Sequence, residues 1–487
     1  MPGHGPPRTL ISLMETPMLF NLDSHPSEMI AAIDDHGQTL SYGRLRTSSA
    51  MLAEHLQPKS LVFSFCGNSI GSLIGYASFL SNGQVPLMLD ANQEAGLTEN
   101  LIDTYHPSYL WLPVDHPLGS RFTQKFELDG YRLVATELPS YPLNDQLALL
   151  ITTSGSTGSP KLVRQSRRNL VSNASAIAEY LEISSDDRPI STLPMNYVYG
   201  LSVINSHFLK GATLLLTSRG VVQKEFWAFF REQRATSMAG VPYTYEILKK
   251  LRFLNMELPS LRTLTQAGGK LLPDLHRDLA EYALKHDKRF VVMYGAAEAT
   301  ARMGYLPADK ALEKCGAMGR PIPGGRFSLL DESNREINRP GQIGELIYYG
   351  DNVALGYAEK GEDLIKGDEW QGRLATGDLV MFDKDGFYYV TGRKKRFLKI
   401  FGNRIGLDET ERLVKSGFPD LDCACCGQDD LMTIFITDAS LLDEVRNSVA
   451  LATRLHPSAF MVRYIESLPK NEAGKTLYAQ LDSNHGH

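Results

Sequence analysis

Short apolar runs alternate with helix-like stretches along most of the chain. Residues 60–65 and 148–153 are compact apolar runs that predict buried strands, the second leading straight into a Gly/Ser/Thr loop. Residues 189–194, 212–216 and 289–294 have the same extended character, while 70–80, 172–181, 226–233 and 242–254 read as helices. Alternation of this kind predicts an α/β class with mixed, mostly parallel sheets and helices. From about residue 325 the texture changes to short strands and tight turns, at 327–330, 344–349 and 387–390, which predicts a β-rich subdomain. A basic run, Arg393-Lys394-Lys395-Arg396, precedes a tail of α+β character. It is either a solvated turn or the hinge between a large N-terminal domain, expected over 1–393, and a small mobile C-terminal domain, 394–487.

A length of 487 residues accommodates more than one folding unit at roughly 100–200 residues each. Apolar residues at 43% and charged residues at 22% exclude a disordered, collagen-like or disulfide-stapled chain. Fifty Lys+Arg against 56 Asp+Glu leave a net charge of −6, which gives no basic footprint for nucleic acid or an anionic membrane. No run approaches the ~20 apolar residues of a membrane span, and the start lacks the basic-then-apolar layout of a signal peptide. Five cysteines suit a reducing compartment, and a cytoplasmic location is expected. Cys423, Cys425 and Cys426 invite a zinc reading, but they form no C-x2-C pair and no histidine is close in sequence. In a strand, neighbouring members face opposite sides, so buried, unligated thiols are expected.

The most informative segment is Thr153-Ser154-Gly155-Ser156-Thr157-Gly158-Ser159-Pro160-Lys161. Glycines let backbone N–H groups turn inward, hydroxyls add donors and the lysine adds charge, a combination suited to an oligophosphate. It is not a Walker A loop, because Pro160 precedes the lysine and Leu162 follows it.

The segment resembles the phosphate loop of the acyl-adenylate-forming ligases, with Leu162 in place of the final glycine. That superfamily includes acyl- and aryl-CoA synthetases, nonribosomal peptide synthetase adenylation domains, D-alanine–carrier-protein ligases and firefly luciferase. Further segments resemble its motifs in order, from about residue 35 to about residue 480. Gln266-Ala267-Gly268-Gly269-Lys270 resembles the loop packed against adenine, and Tyr294-Gly295-Ala296-Ala297-Glu298 resembles Y-G-x-T-E. Thr376-Gly377-Asp378 and Gly392-Arg393-Lys394-Lys395 resemble the ribose-contacting motifs. Lys399 and Gly402 fit the K-x-x-G beyond the hinge, and Leu468-Pro469-Lys470 through Lys475 resembles the motif ending in the catalytic lysine.

The resemblance implies ATP and Mg2+ as cofactors. It implies Thr153 to Gly158, Lys161, Gly268, Gly269, Lys270, Tyr294, Gly295, Asp378 and Arg393 around the nucleotide, with Glu298 on the metal. Lys475, Glu298 and Lys399 are the implied catalytic residues, and Lys395 the hinge. The chain departs from the pattern at Ala297, where the family has threonine, and at Tyr478-Ala479, where it has arginine.

A carboxylate acylates poorly, since its leaving group is oxide; attack on the α-phosphate of ATP converts it to an acyl-adenylate and releases pyrophosphate. The enzyme must gather anions and neutralise the departing charge, which positioning and electrostatics accomplish without a general base. The family then rotates the small domain and admits a thiol, on CoA or on a carrier protein's phosphopantetheine arm; either acceptor fits this sequence.

Leu193-Pro194-Met195-Asn196-Tyr197 resembles L-P-M-F-H of acyl- and aryl-CoA synthetases, with Tyr197 in place of the histidine. No aspartate stands between residues 193 and 209 to pair with an α-ammonium, so a small carboxylic acid without a free α-amine is expected. Tyr197, Tyr199 and Val241 either line the acyl pocket or belong to the ordinary core, and Met303-Gly304-Tyr305 is placed to close its far end. From a different class, a nucleotide-binding pseudoenzyme is the alternative, with Ala297 its warning sign.

Overall fold

The structure, a computed structural model, describes residues 20, 22–152, 161–394, 396–401, 403–470 and 476–482. The strand Leu61–Cys66 is buried along its whole length and pairs in parallel with Val85–Asp90, from Leu61 opposite Val85 to Cys66 opposite Asp90. Apolar runs of this kind occupy the middle of a sheet covered on both faces. The sheet has eight strands, with Tyr109–Pro113 and Leu147–Thr152 completing the parallel middle and antiparallel strands at both ends. The polar strand Thr123–Leu128 forms one edge.

A second sheet of nine strands likewise has a parallel middle. Pro189–Ile190, Ser237–Gly240, Thr263–Gln266 and Arg289–Tyr294 run side by side in one direction, and Gly304–Leu306 then turns back antiparallel. The helices Ile70–Ser81, Arg167–Tyr180 and Val198–Leu209 join the two sheets. One core cluster takes Ala32 and Leu214 from the nine-stranded sheet, Met88 and Leu149 from the eight-stranded one, and Ile74, Leu170 and Phe208 from these helices.

Two boundaries differ from the sequence expectation. The helix expected at 172 begins at Arg167, because Ser166 and Asn169 form a reciprocal cap: each side chain accepts from the other's backbone N–H, at 3.2 and 2.8 Å. The helix expected over 242–254 ends at Lys250, because Arg252 takes a left-handed φ of 55°.

Beyond residue 325, the strands Arg326–Leu330, Gly344–Tyr349, Arg373–Phe382 and Tyr388–Arg393 form an antiparallel sheet over a core that includes Phe327, Leu346, Tyr348 and Val380. Residues after 396 have separate cores. One collects Ile400, Val414, Cys423, Cys425, Ile434 and Val449, the other Ala424, Cys426, Phe435 and Leu481. The three clustered cysteines lie on the strand Cys423–Gln428, and Cys426 faces the opposite core from Cys423 and Cys425. No helix among the described residues is long and apolar enough to cross a membrane.

Candidate active site

Parallel strands gather the site at their carboxyl ends. Gly240 lies beside Gln266, and Gln266 beside Val292, so Val241, Ala267-Gly268-Gly269 and Tyr294-Gly295 leave the sheet on the same side. Crevices at the carboxyl ends of such strands are where α/β folds bind ligands. Gln266 Nε2 donates to the Gly269 carbonyl at 2.8 Å and shapes the turn. Gly268 has φ +84°, and a Cβ there would lie 2.7 Å from Tyr197 Oη and 3.0 Å from Val241 Cγ1. Tyr197, Val241 and the glycine turn therefore share one wall.

The strands Arg373–Phe382 and Tyr388–Arg393 deliver the next group. Asp378 and Arg393 are cross-strand neighbours. Arg393 Nε donates to Asp378 Oδ1 at 3.0 Å, and the Tyr294 hydroxyl donates to Asp378 Oδ2. Asp378 is buried, while Arg393 is largely exposed. Burial pushes the Asp378 carboxyl above the ordinary carboxylate value, opposed by the Arg393 charge and the Tyr294 hydrogen bond. Burial, with Asp378 beside it, drives the Tyr294 phenol well upward, so its proton stays in the hydrogen bond.

A third group surrounds Glu298, in the short turn Ala297–Ala299 that follows Tyr294. Tyr357 Oη donates to Glu298 Oε1 at 2.7 Å. Lys161 Nζ lies 3.7 Å from the centroid of the Tyr357 ring and 3.2 Å from Glu359 Oε1. Thr300, which ends the turn, has φ 64° and ψ −45°, an outlying conformation for a β-branched residue that costs about 1–3 kcal/mol. Its hydroxyl donates to the Asn352 carbonyl at 2.7 Å and helps hold the turn. One carboxylate suits Mg2+, which keeps several waters and takes its remaining ligands from substrate phosphates. Glu298 fits that role, since Tyr357 engages one of its two oxygens.

Other residues singled out in the sequence stand elsewhere. Lys270 Nζ donates to the Val390 carbonyl at 3.1 Å, and burial, with Arg412 nearby, lowers its ammonium below the usual value. Lys399 lies in the hairpin after residue 396, its N–H bonded to Asp429 Oδ1 at 2.8 Å. Met303 packs into the core of the β-rich sheet, not the acyl pocket, whereas Tyr305 stacks on Tyr180 at 4.2 Å between ring centroids. Tyr199 is 1% exposed and lines a cavity behind this wall. Thr153 to Gly158, Lys395, Gly402 and Lys475 lie outside the described residues.

Sequence reasoning missed Tyr357 and Arg302. Tyr357 follows Gly356 on a short strand paired antiparallel with Leu162–Ser166, and no local pattern points from it to Glu298. Arg302 lies four residues past Glu298, and its basic side chain in an otherwise small and apolar stretch was the available signal.

The chain belongs to the AMP-binding enzyme family, whose match covers residues 21–358. It is 30% identical over 368 residues to a feruloyl-CoA synthase from Amycolatopsis, covering 72% of each chain. It is 26% identical over 485 residues to a sulfoacetate–CoA ligase from Cupriavidus necator, covering 91% of this chain and 92% of the relative. The fold is that of o-succinylbenzoate CoA synthetase from Bacillus subtilis, solved with its acyl-adenylate intermediate, at a TM-score of 0.78 and 21% identity over 95% of this chain and 97% of that one. ATP-bound MatB from Rhodopseudomonas palustris is equally similar, with a TM-score of 0.78 and 22% identity over 96% of this chain and 98% of that one.

Proposed function

We propose that this chain is an AMP-forming acid–thiol ligase in which Asp378 and Arg393 hold the ribose and Glu298 carries Mg2+. It joins a small carboxylic acid to AMP, releasing pyrophosphate, and passes the acyl group to a thiol. CoA is the acceptor; a carrier protein's phosphopantetheine arm presents the same thiol and is the alternative. The observation that carries the reading is the Tyr294–Asp378–Arg393 cluster beside the carboxyl ends of the parallel strands. A fixed carboxylate there accepts hydrogen bonds from vicinal hydroxyls such as those of ribose. Bound Mg2+ offsets negative charge on the phosphates. Tyr357 orients Glu298, and Lys161 adds positive charge on the same side.

Residues 1–393 form the large part of the enzyme and residues 394–487 a small lid carrying Lys475. The neighbours of Lys395 support a hinge at that residue. Lys394 is tied to the β-rich sheet, its N–H donating to the Gly377 carbonyl and its Nζ to Glu345 Oε2, both at 2.7 Å. Arg396 is tied to the C-terminal part, 3.1 Å from Asp408 and 2.9 Å from Glu411, with its guanidinium 3.7 Å from the Tyr478 ring centroid. Tyr478, which replaces the family arginine, thereby serves as an anchor for Arg396. None of the five cysteines is disulfide-bonded, which suits the cytoplasm.

The test supplies an accepted acid, ATP and Mg2+ with either CoA or a phosphopantetheinylated carrier, and follows AMP release and thioester formation. Thioester on CoA supports the reading, and thioester only on the carrier moves the acceptor. AMP release unaccompanied by either thioester contradicts the transfer step.

A further inference from the structure

Arg302 lies inside the cavity behind Tyr197 and Val241, and it is 3% exposed. Its Nε has no hydrogen-bond partner among the described residues, and no acidic side chain among them forms an ion pair with it. Nη1 makes a long 3.4 Å contact with the neighbouring Ala301 carbonyl. The guanidinium lies 3.9 Å from the centroid of the Tyr199 ring, whose hydroxyl donates to Thr265 Oγ1 at 2.9 Å. Asp187 also lines the cavity, but it is paired with Arg262 at 2.8 Å.

The backbone fixes this placement. The Arg302 carbonyl accepts from Asn173 Nδ2 at 2.9 Å and Asn352 Nδ2 at 2.8 Å. Gly295 lets the segment pass, since a Cβ there would lie 1.7 Å from the Ala301 oxygen and 3.0 Å from Arg302 Cα. Arg302 thus follows the same turn as Glu298, and its side chain joins Tyr199, Ala239, Thr265 and Met293 around the cavity.

A guanidinium stays charged at any physiological pH, and a buried charge without a counter-ion is heavily penalised. The face of Tyr199 and the nearby Tyr180 hydroxyl offset only part of that cost, because neither carries a negative charge. The planar fork of arginine matches the two oxygens of a carboxylate. Resting on the ligase reading above, we propose that Arg302 determines specificity by holding a second carboxylate, remote from the one that attacks ATP, so that the substrates are dicarboxylic acids. Gly268 and Tyr294 stand outside this cavity but next to it, since Tyr294 follows Met293 of its lining and Val241, two residues past Ala239, packs against Gly268; the reacting carboxylate belongs on that side, where the nucleotide motifs converge.

The test combines binding with catalysis in the full chain. Wild type, Arg302→Gln and Arg302→Lys are titrated calorimetrically, with AMP present, against succinate, glutarate, adipate and isophthalate. Butyrate, pentanoate, hexanoate and benzoate serve as the matched monoacids, and acid-dependent ATP–pyrophosphate exchange is measured with each. Wild type is expected to bind at least one diacid more tightly than its monoacid. Arg302→Gln should weaken that diacid roughly 100-fold while leaving the monoacid within a few-fold. Arg302→Lys keeps the charge without the fork and should fall between.

A wild type that binds no diacid better than its monoacid overturns the proposal. So does an equal loss for both acids in Arg302→Gln at unchanged ATP affinity, which would put the arginine on the reacting carboxylate. If the glutamine variant does not fold, a lysine variant that matches wild type on both acids overturns it. Diacid binding that depends on Arg302 without any exchange would instead sink the ligase reading and leave this assignment standing.

Discussion

Tyr357 donates to Glu298 across 2.7 Å, from a strand 59 residues further along the chain. The pairing of Tyr357 with Val163, two residues past Lys161, puts one phenol between that lysine and the acidic turn. Burial, with Glu298 close by, raises that phenol, so it remains a donor. Tyr357→Phe keeps the ring face for Lys161 and removes the hydroxyl. Pyrophosphate exchange at limiting Mg2+ should fall about 10–100-fold and recover in part at high Mg2+. An unchanged Mg2+ dependence contradicts the positioning role.

Acidification should release nucleotide early. Burial raises the Asp378 carboxyl above the ordinary value of 3.8, and protonation would remove the acceptor proposed for ribose. ATP affinity should therefore weaken as pH falls through this raised pKa, starting at a higher pH than for an exposed aspartate. Asp378→Asn should bind ATP weakly throughout, with this pH dependence abolished. Calorimetric titration across the acidic range checks both, and a mutant that keeps the wild-type profile assigns the titration to another group.

Leu162 stands where the family has glycine, and its side chain is fully buried in the core of the eight-stranded sheet. The departure is thus compensated by packing. Leu162→Gly restores the family residue but should cost at least about 2–5 kcal/mol, the range for a buried Leu→Ala. Urea denaturation measures the loss. A neutral result would mean that the side chain contributes little to the core.

The proposed lid touches the rest of the chain through named contacts. Lys415 lies 3.5 Å from Glu246, Lys470 Nζ is 5.0 Å from the Tyr243 ring centroid, and Arg412 donates to the Thr391 carbonyl at 2.9 Å. A partly exposed ion pair is worth up to about 1 kcal/mol, so Glu246→Gln should slow adenylate formation no more than a few-fold. Lys395→Pro acts on the connection itself by fixing φ. It should leave exchange near wild type and slow thioester formation about tenfold or more, because only the second step needs the turn. Equal slowing of both half-reactions would argue against a hinge at Lys395.

Motif order made the family legible in the sequence, and compact runs such as 289–294 marked strands that the structure places in the parallel middle of a sheet. Contacts created by topology were not legible. Tyr357 reaches Glu298 only because its strand pairs beside the phosphate loop, and Lys270 turns to Val390 because the β-rich sheet packs over it. Met303, expected in the acyl pocket, enters a different core, while the neighbouring Tyr305 reaches the pocket side. Met303 precedes the strand Gly304–Leu306, so the alternation that sets the face of Tyr305 does not extend to it, and which core it enters depends on how the β-rich sheet packs against this segment.

Adenylate formation is the central claim, and acid-dependent ATP–pyrophosphate exchange measures it most directly. Wild type should exchange label with at least one acid of the panel, and Lys475→Ala should lose most of that exchange while still binding ATP. ATP binding without exchange for any acid, or exchange undiminished in Lys475→Ala, would contradict the account.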